Sequence, residues 1–315
     1  MYFLGMLNYD LKVENNPSSI DQRLPKFLIA QKQKSIAGPI SFSGVGLHTG
    51  NKVSMILNPA PENTGYIFRI GKGHSKKIIK ADYKNVESTK LCTLLSDGKG
   101  NTVSTVEHIL SACYALEIDN IFIDLDSNEI PVCDGSSIEF VNKIKKHGFN
   151  EQSEFKKFVK IKKNVEVIDG NKIARVSPFE QTLITCDVDY PHKCIGKQSI
   201  SLILNPKIYS SQICSARTFG FLKDIEYLRS IGLTLGGSLE NAIVLDENNI
   251  LNDEGLRFPD EFVRHKVLDF IGDISLAGSR ILGSFFTSHS GHELNVKLVE
   301  KIFESSSNWE LVCSN

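Results

Sequence analysis

Asp260-Glu-Phe-Val-Arg-His265-Lys-Val-Leu-Asp269-Phe-Ile-Gly-Asp273 is the stretch on which the reading of this chain turns. Its apolar residues Phe262, Val263, Val267, Leu268 and Ile271 recur at helical spacing and predict an amphipathic helix over 261–276. On that helix His265 and Asp269 stand one turn apart on the same face, and Asp273 extends the face by another turn. An imidazole and a carboxylate so placed suit a shared metal ion, but the same spacing also serves an ordinary surface pair.

Short strand-like runs at 165–168, 174–178 and 182–188 precede this helix, and a last helix begins near Leu294. The same order occurs earlier in the chain. Strand-like runs at 53–57 and 66–70 lead to a helix over about 105–116, a further strand at 120–125 and a second helix at 136–146. A lysine-rich stretch, 156–163, separates the two units. Successive units of strands and then helices define an α+β duplication with helices covering one face of each sheet. The first unit occupies 34–155 and the second 156–315, while 1–33, polar and turn-rich at 15–19, reads as an N-terminal extension without an assigned role.

Composition narrows the class. The chain has 315 residues, 41% of them hydrophobic, enough for a sizeable core. Lys and Arg number 36 against 37 Asp and Glu, so the formal charge of −1 gives no general attraction to nucleic acid or a membrane surface. Seven cysteines, scattered and without a CxxC pair, read as free thiols in a reducing compartment. No run approaches the roughly 20 apolar residues of a membrane span, so a cytoplasmic protein is expected.

Three further segments carry candidate chemistry. In Ser104-Thr-Val-Glu107-His108, Ser104 and Glu107 have the spacing of a helix capping box, which leaves His108 unexplained. A Glu beside a His also suits a hydrolytic metal centre, where His ligates and Glu accepts a proton from water. Ser290-Gly-His292 places a histidine on a glycine turn before a helix, either solvated or acting as a general acid oriented by Asp273. Gly44-Val-Gly-Leu-His48-Thr-Gly50 lacks the lysine and spacing of a phosphate loop and reads as a tight turn, with His48 a candidate diphosphate contact.

Taken in order, GVGLHTG at 44–50, CTLL at 92–95, STVEHIL at 104–110, IDNIFIDLDSNEIPVCDGSS at 118–137, SARTFGFLKDIEYLRSIGLTLGGS at 215–238, LRFPDEFVRHKVLDFIGD at 256–273 and SGHELN at 290–295 resemble the UDP-3-O-acyl-N-acetylglucosamine deacetylases. The likeness runs from about Lys34 to Leu298. It implies two similar domains, each a mainly antiparallel sheet layered against helices, with the active site between them. It implies one catalytic Zn2+, with Fe2+ as the alternative ion, held by His108, His265 and Asp269. Glu107 is then the general base, His292 the proton donor with Asp273 beside it, and Thr218 the hydrogen-bond donor to the oxyanion. Lys266, Leu91, Phe219, Lys172 and His48 become substrate contacts, and Ile225, Gly237, Ser238, Ala242 and Val244 walls of a passage for an acyl chain. The implied partner is a UDP-sugar lipid precursor, processed by a monomer at a committed step of lipid A synthesis in a Gram-negative bacterium.

Two positions depart from the family pattern: Tyr190-Pro191-His192-Lys193-Cys194 has its proline displaced, and His289 replaces a basic residue before the Ser-Gly-His turn. A zinc amidohydrolase with another substrate and a non-catalytic zinc-binding protein remain alternatives at this level.

Overall fold

The computed structural model describes residues 30–314 apart from 72, 74 and 75, together with Pro25 and Leu28. Most of the 1–33 extension therefore lies outside the described residues. Its last part is pleated: the strand Lys32–Ile36 begins inside that stretch and pairs antiparallel with Phe149–Phe155.

Among the described residues six helices, α1 (Glu107–Ala115), α2 (Ile138–His147), α3 (Pro206–Gln212), α4 (Leu222–Ser230), α5 (Glu261–Ile274) and α6 (His292–Phe303), accompany the sheets, giving the α+β architecture. One sheet has five strands in the order Ile40–Val45, Lys52–Pro59, Ile121–Leu125, Tyr66–Ile70, Lys77–Lys80. Only its Ile121–Leu125 and Tyr66–Ile70 pair is parallel. A second, seven-stranded sheet is organised on Arg280–Ser288, which lies antiparallel to Lys172–Ser177 and parallel to both Lys157–Ile161 and Thr182–Tyr190. Alternation sets which side chains face the helices: in Lys52–Pro59, Val53, Met55 and Leu57 are buried between more exposed neighbours. No helix among the described residues is long and apolar enough to cross a membrane.

Helices α1 and α5 pack on each other in the interior. Every residue of α1 is buried, and in α5 only Arg264 and Lys266 are not. The approach requires Gly272, because a Cβ there would lie 2.2 Å from the backbone oxygen of Glu107. A glycine inside a helix costs about 1 kcal/mol relative to alanine. Here it lets two backbones meet.

Several sequence expectations change in detail. The Ser104–Glu107 capping box does not form: α1 starts at Glu107 behind an N-cap at Val106 that makes no side-chain bond, and Thr105 is left-handed at φ 58°. Thr105 instead donates its hydroxyl to Glu129. The lysine-rich stretch 156–163 contains the strand Lys157–Ile161, flanked by Arg280–Ser288 and Trp309–Cys313. Lys156 itself is buried, bonded to Glu117 O at 2.9 Å and Asp119 at 2.5 Å. Helix α5 stops at Ile274 and continues as a 3-10 turn, Ser275–Ala277, closed by left-handed Gly278. Finally, α6 opens on His292 rather than near Leu294, so this histidine is a first-turn residue and not a loop tip.

Candidate active site

The site is built where α1, α5 and the start of α6 meet. The four-residue spacing predicted on α5 holds, and His265 and Asp269 present their ring and carboxylate to the same point that α1 supplies with His108. One ligand atom from each of the three lies within 4.8 Å of the others, and all three residues are buried. His265 Nε2 is 3.3 Å and His108 Nε2 3.7 Å from Asp269 Oδ1. Metal bonds of about 2.0–2.1 Å at tetrahedral angles place neighbouring donors about 3.3 Å apart, so the set fits one small dication. Asp269 Oδ1 is buried without a hydrogen-bond partner among the described residues, which is costly unless a cation completes it.

Surrounding contacts prepare these donors. His265 donates Nδ1–H to Ala216 O at 3.1 Å, leaving Nε2 as the free donor atom. Burial holds the His265 pKa down at about 3, so the ring is neutral, as a ligand must be. Burial alone would raise Asp269, but the Lys266 ammonium beside it holds it well below the usual carboxylate range. Lys266 Nζ donates to Asp269 Oδ2 at 2.9 Å and lies 5.6 Å from the Phe219 ring centre.

Glu107 and His292 face each other beside this cluster, Oε1 to Nε2 at 3.8 Å. Burial pushes the Glu107 carboxyl up, with His292 and His108 pulling the other way, which moves it toward the range of a general base. Its other oxygen accepts Thr93 N–H at 3.1 Å. His292 donates Nδ1–H to Asp273 Oδ2 at 2.9 Å. Burial, and the positive end of α6, disfavour an imidazolium there, yet Asp273 and Glu107 outweigh them and lift its pKa to about 10. Asp273 is fixed in turn by Thr93 Oγ1 at 2.6 Å and Asn295 Nδ2 at 2.8 Å.

A cavity of about 460 Å³ opens next to the donors. Its lining gathers Leu91, Thr218, Phe219, His48, Ile225, Gly237, Ser238, Ala242 and Val244, residues scattered along the chain. The cavity wall comes from a small parallel pair, Phe219–Phe221 with Ile243–Leu245, and from α4 and the loop that follows it. That loop docks on the glycine turn near residue 48: Leu235 N donates to His48 O at 3.0 Å, and a Cβ on Gly236 would meet Gly46 O at 2.2 Å. The His48 ring is buried, and neither nitrogen has a partner among the described residues.

Lys172 is not brought into this group. It stands exposed at the start of Lys172–Ser177, beside a residue paired with Ser288, and lines neither the cavity nor the donor cluster. His289 is left-handed at φ 53° and bonded through Nδ1 to Ser288 Oγ at 2.9 Å. In the altered 190–194 loop, His192 is committed to the main chain, donating to Asp246 O at 2.8 Å and accepting from Cys194 N at 3.2 Å.

Thr93, Asn295, Glu129 and Glu261 support the site without having been singled out from sequence. Glu261 was readable, because it precedes His265 by the same four residues that separate His265, Asp269 and Asp273. For Thr93 and Asn295, far from Asp273 in sequence, there was no local signal.

An open donor set beside a carboxylate able to take a proton and an imidazolium able to give one is what splitting an amide with water requires, and the class is that of a metal-dependent hydrolase. Residues 33–304 match the family of UDP-3-O-acyl N-acetylglycosamine deacetylases, LpxC, and the chain belongs to that family. The UDP-3-O-acyl-N-acetylglucosamine deacetylase of Haemophilus influenzae (strain 86-028NP) is 45% identical over 89% of this chain and 93% of its own length. Those of Idiomarina loihiensis and Syntrophus aciditrophicus are 47% and 44% identical, over 89% and 88% of this chain and 92% and 88% of theirs.

Proposed function

We propose that this chain hydrolyses the acetamide of UDP-3-O-acyl-N-acetylglucosamine to the free amine and acetate, a committed step of lipid A synthesis, with one Zn2+ at His108, His265 and Asp269. The observation that carries the reading is the convergence of these three donors, from two helices, beside a greasy cavity whose Phe219 ring lies 6.3 Å from that of His265. Two imidazoles and a carboxylate suit zinc, and ferrous iron is the competing ion for the same donors. When bound, such an ion polarises the acetyl carbonyl and lowers the pKa of water. Glu107 takes the proton from the attacking water, and the Thr218 hydroxyl steadies the oxyanion. His292, held protonated by Asp273, delivers a proton to the departing nitrogen.

The substrate's acyl chain occupies the passage past Leu91, Phe219, Ile225, Gly237, Ser238, Ala242 and Val244. Lys266 and His48 meet the polar end of the sugar nucleotide, and Lys172 a phosphate further out. In this reading the first unit, 34–155, supplies Glu107 and His108, and the second, 156–315, the remainder. All seven cysteines are free, which supports a cytoplasmic, reducing setting, and nothing in the site calls for a second subunit.

The test compares acetate release from UDP-3-O-acyl-GlcNAc and from the same sugar nucleotide without its acyl chain, before and after chelation and zinc return. We expect metal-dependent turnover strongly favouring the acylated compound. Equal turnover of both would point to another amidohydrolase activity, and indifference to chelation would remove the metal.

A further inference from the structure

Glu261 and Arg217 form a buried ion pair behind the site that no step above uses. Both side chains are shielded from solvent, at 0% and 2% exposure. Glu261 is the first residue of α5, one turn before His265. Its Oε1 accepts from Arg217 N and Arg217 Nε, both at 3.0 Å, and its Oε2 from Arg257 N at 2.6 Å and Arg217 Nη2 at 3.3 Å. Arg217 completes its fork on Glu254 at 2.5 Å and on Gly255 O at 2.6 Å. One carboxylate thus ties two chain segments to the start of the helix that carries the donors.

The residues on either side of Arg217 touch the chemistry. Ala216 O accepts from His265 Nδ1, fixing which nitrogen faces the metal point. Thr218, on the other side, lines the cavity and is itself pinned by Gly135 O and Ile243 N, both at 2.8 Å. Arg217 lines no part of the cavity. Its side chain leads away to Glu254, Gly255 and Glu261, so it acts on the site only through the segment it anchors.

We propose that the Arg217–Glu261 pair is a positioning device that fixes residues 216–218 against α5, setting at once the orientation of His265 for its metal and the placement of Thr218 against the substrate carbonyl. A neutral contact would suffice to fill this space, and buried ion pairs are often replaceable by apolar residues without loss of stability. A planar guanidinium and a carboxylate accepting four bonds instead specify direction. Direction is what a metal ligand and an oxyanion donor need, since outer partners of ligands typically alter metal affinity by roughly 10–100-fold. The inference rests on the metal reading given above.

The test uses full-length protein stripped of metal, with Arg217→Lys and the double variant Arg217→Met/Glu261→Leu. Zn2+ affinity is measured by chelator competition, Co2+ binding by its visible ligand-field bands, stability by thermal melting, and kcat and KM on the acylated sugar nucleotide. Arg217→Lys is expected to weaken Zn2+ binding roughly 10–100-fold, alter the Co2+ bands and lower kcat with little change in KM. The double variant, free of an uncompensated buried charge, is expected to regain the parent's melting temperature while metal affinity and kcat stay low. If either variant folds and shows parental Zn2+ affinity, Co2+ bands and kcat, the pair is structural only and the inference fails. A parent protein that binds neither ion would instead sink the metal reading itself, and the two failures are told apart before any substrate is added.

Discussion

Asp273 spends both carboxylate oxygens on holding its neighbours: His292 and Asn295 share one, and Thr93 takes the other. This arrangement makes a signed prediction. His292, with its pKa lifted to about 10, is charged at neutral pH, and function that needs the charged form is lost as pH rises through that value. A dication bound next to it lowers the value, so the basic limb of the loaded enzyme lies below 10. Asp273→Asn removes the anion, and the limb of the kcat profile should move further toward acid. An unmoved limb would dissociate His292 from it. For stability the sign is the same: a raised histidine contributes fully below its unfolded pKa of about 6.5 and ceases to contribute above its folded one. Glu107 gives the other limb. Its carboxyl is raised by burial, so its base form is lost as pH falls, and Glu107→Gln should keep metal content by elemental analysis while kcat drops by roughly two orders of magnitude. Of these residues, Glu107, His108, His265, Asp269, Asp273 and His292 were legible as types at telling spacings, whereas Thr93 and Asn295 were not. Their hydrogen bonds join residues 180 and 22 positions apart, and an isolated threonine or asparagine carries no period.

At the scale of elements, α5 shows why a buried polar face is informative. Its apolar spacing predicted a helix correctly, but amphipathicity would place Glu261, His265, Asp269 and Asp273 in water, and all four are buried. The polar face lies against other elements of the site, foremost α1, at the depth that Gly272 permits. Gly272→Ala tests this. Helix propensity favours alanine by about 1 kcal/mol, while forcing a methyl into backbone contact costs about 1–3 kcal/mol, so crowding should win. The variant should melt lower and, because His108 is carried by the displaced helix, bind Zn2+ more weakly in chelator competition. Parental melting and affinity together would show that the two helices adjust freely. The misread capping box has a related cause. A Ser three residues before a Glu is a local pattern, but the buried carboxylate of Glu129 claims the Thr105 hydroxyl and the chain turns left-handed there. Lysines suggest solvent, yet Lys156 and Lys160 are buried with anionic partners, Asp119 and Glu180.

For the whole molecule, the decisive feature is a cavity assembled from the glycine turn near His48, the loop at Leu91, α4 and the parallel pair flanking it. Narrowing it should discriminate by chain length and spare the chemistry. Each methylene buried is worth about 0.8 kcal/mol, so excluding two costs about 1.6 kcal/mol, more than tenfold in binding. Ala242→Phe should therefore raise KM for long-chain acylated substrate at least tenfold while leaving slow turnover of the non-acylated sugar nucleotide unchanged. An equal effect on both would place the acyl chain elsewhere. The sequence by itself determined the α+β order of elements, the helix of α5 and the four-residue ladder of its polar face, because backbone periodicity and side-chain direction are local. It also carried, in the order and density of its motifs, the family. Only the tertiary structure decided that α1 and α5 lie close enough for His108 to join His265 and Asp269, that Thr93 and Asn295 hold Asp273, and that Arg217 braces the loop on Glu261. Such contacts join residues distant in the chain, and their geometry is set by how helices and sheets pack, not by spacing along a strand or a turn.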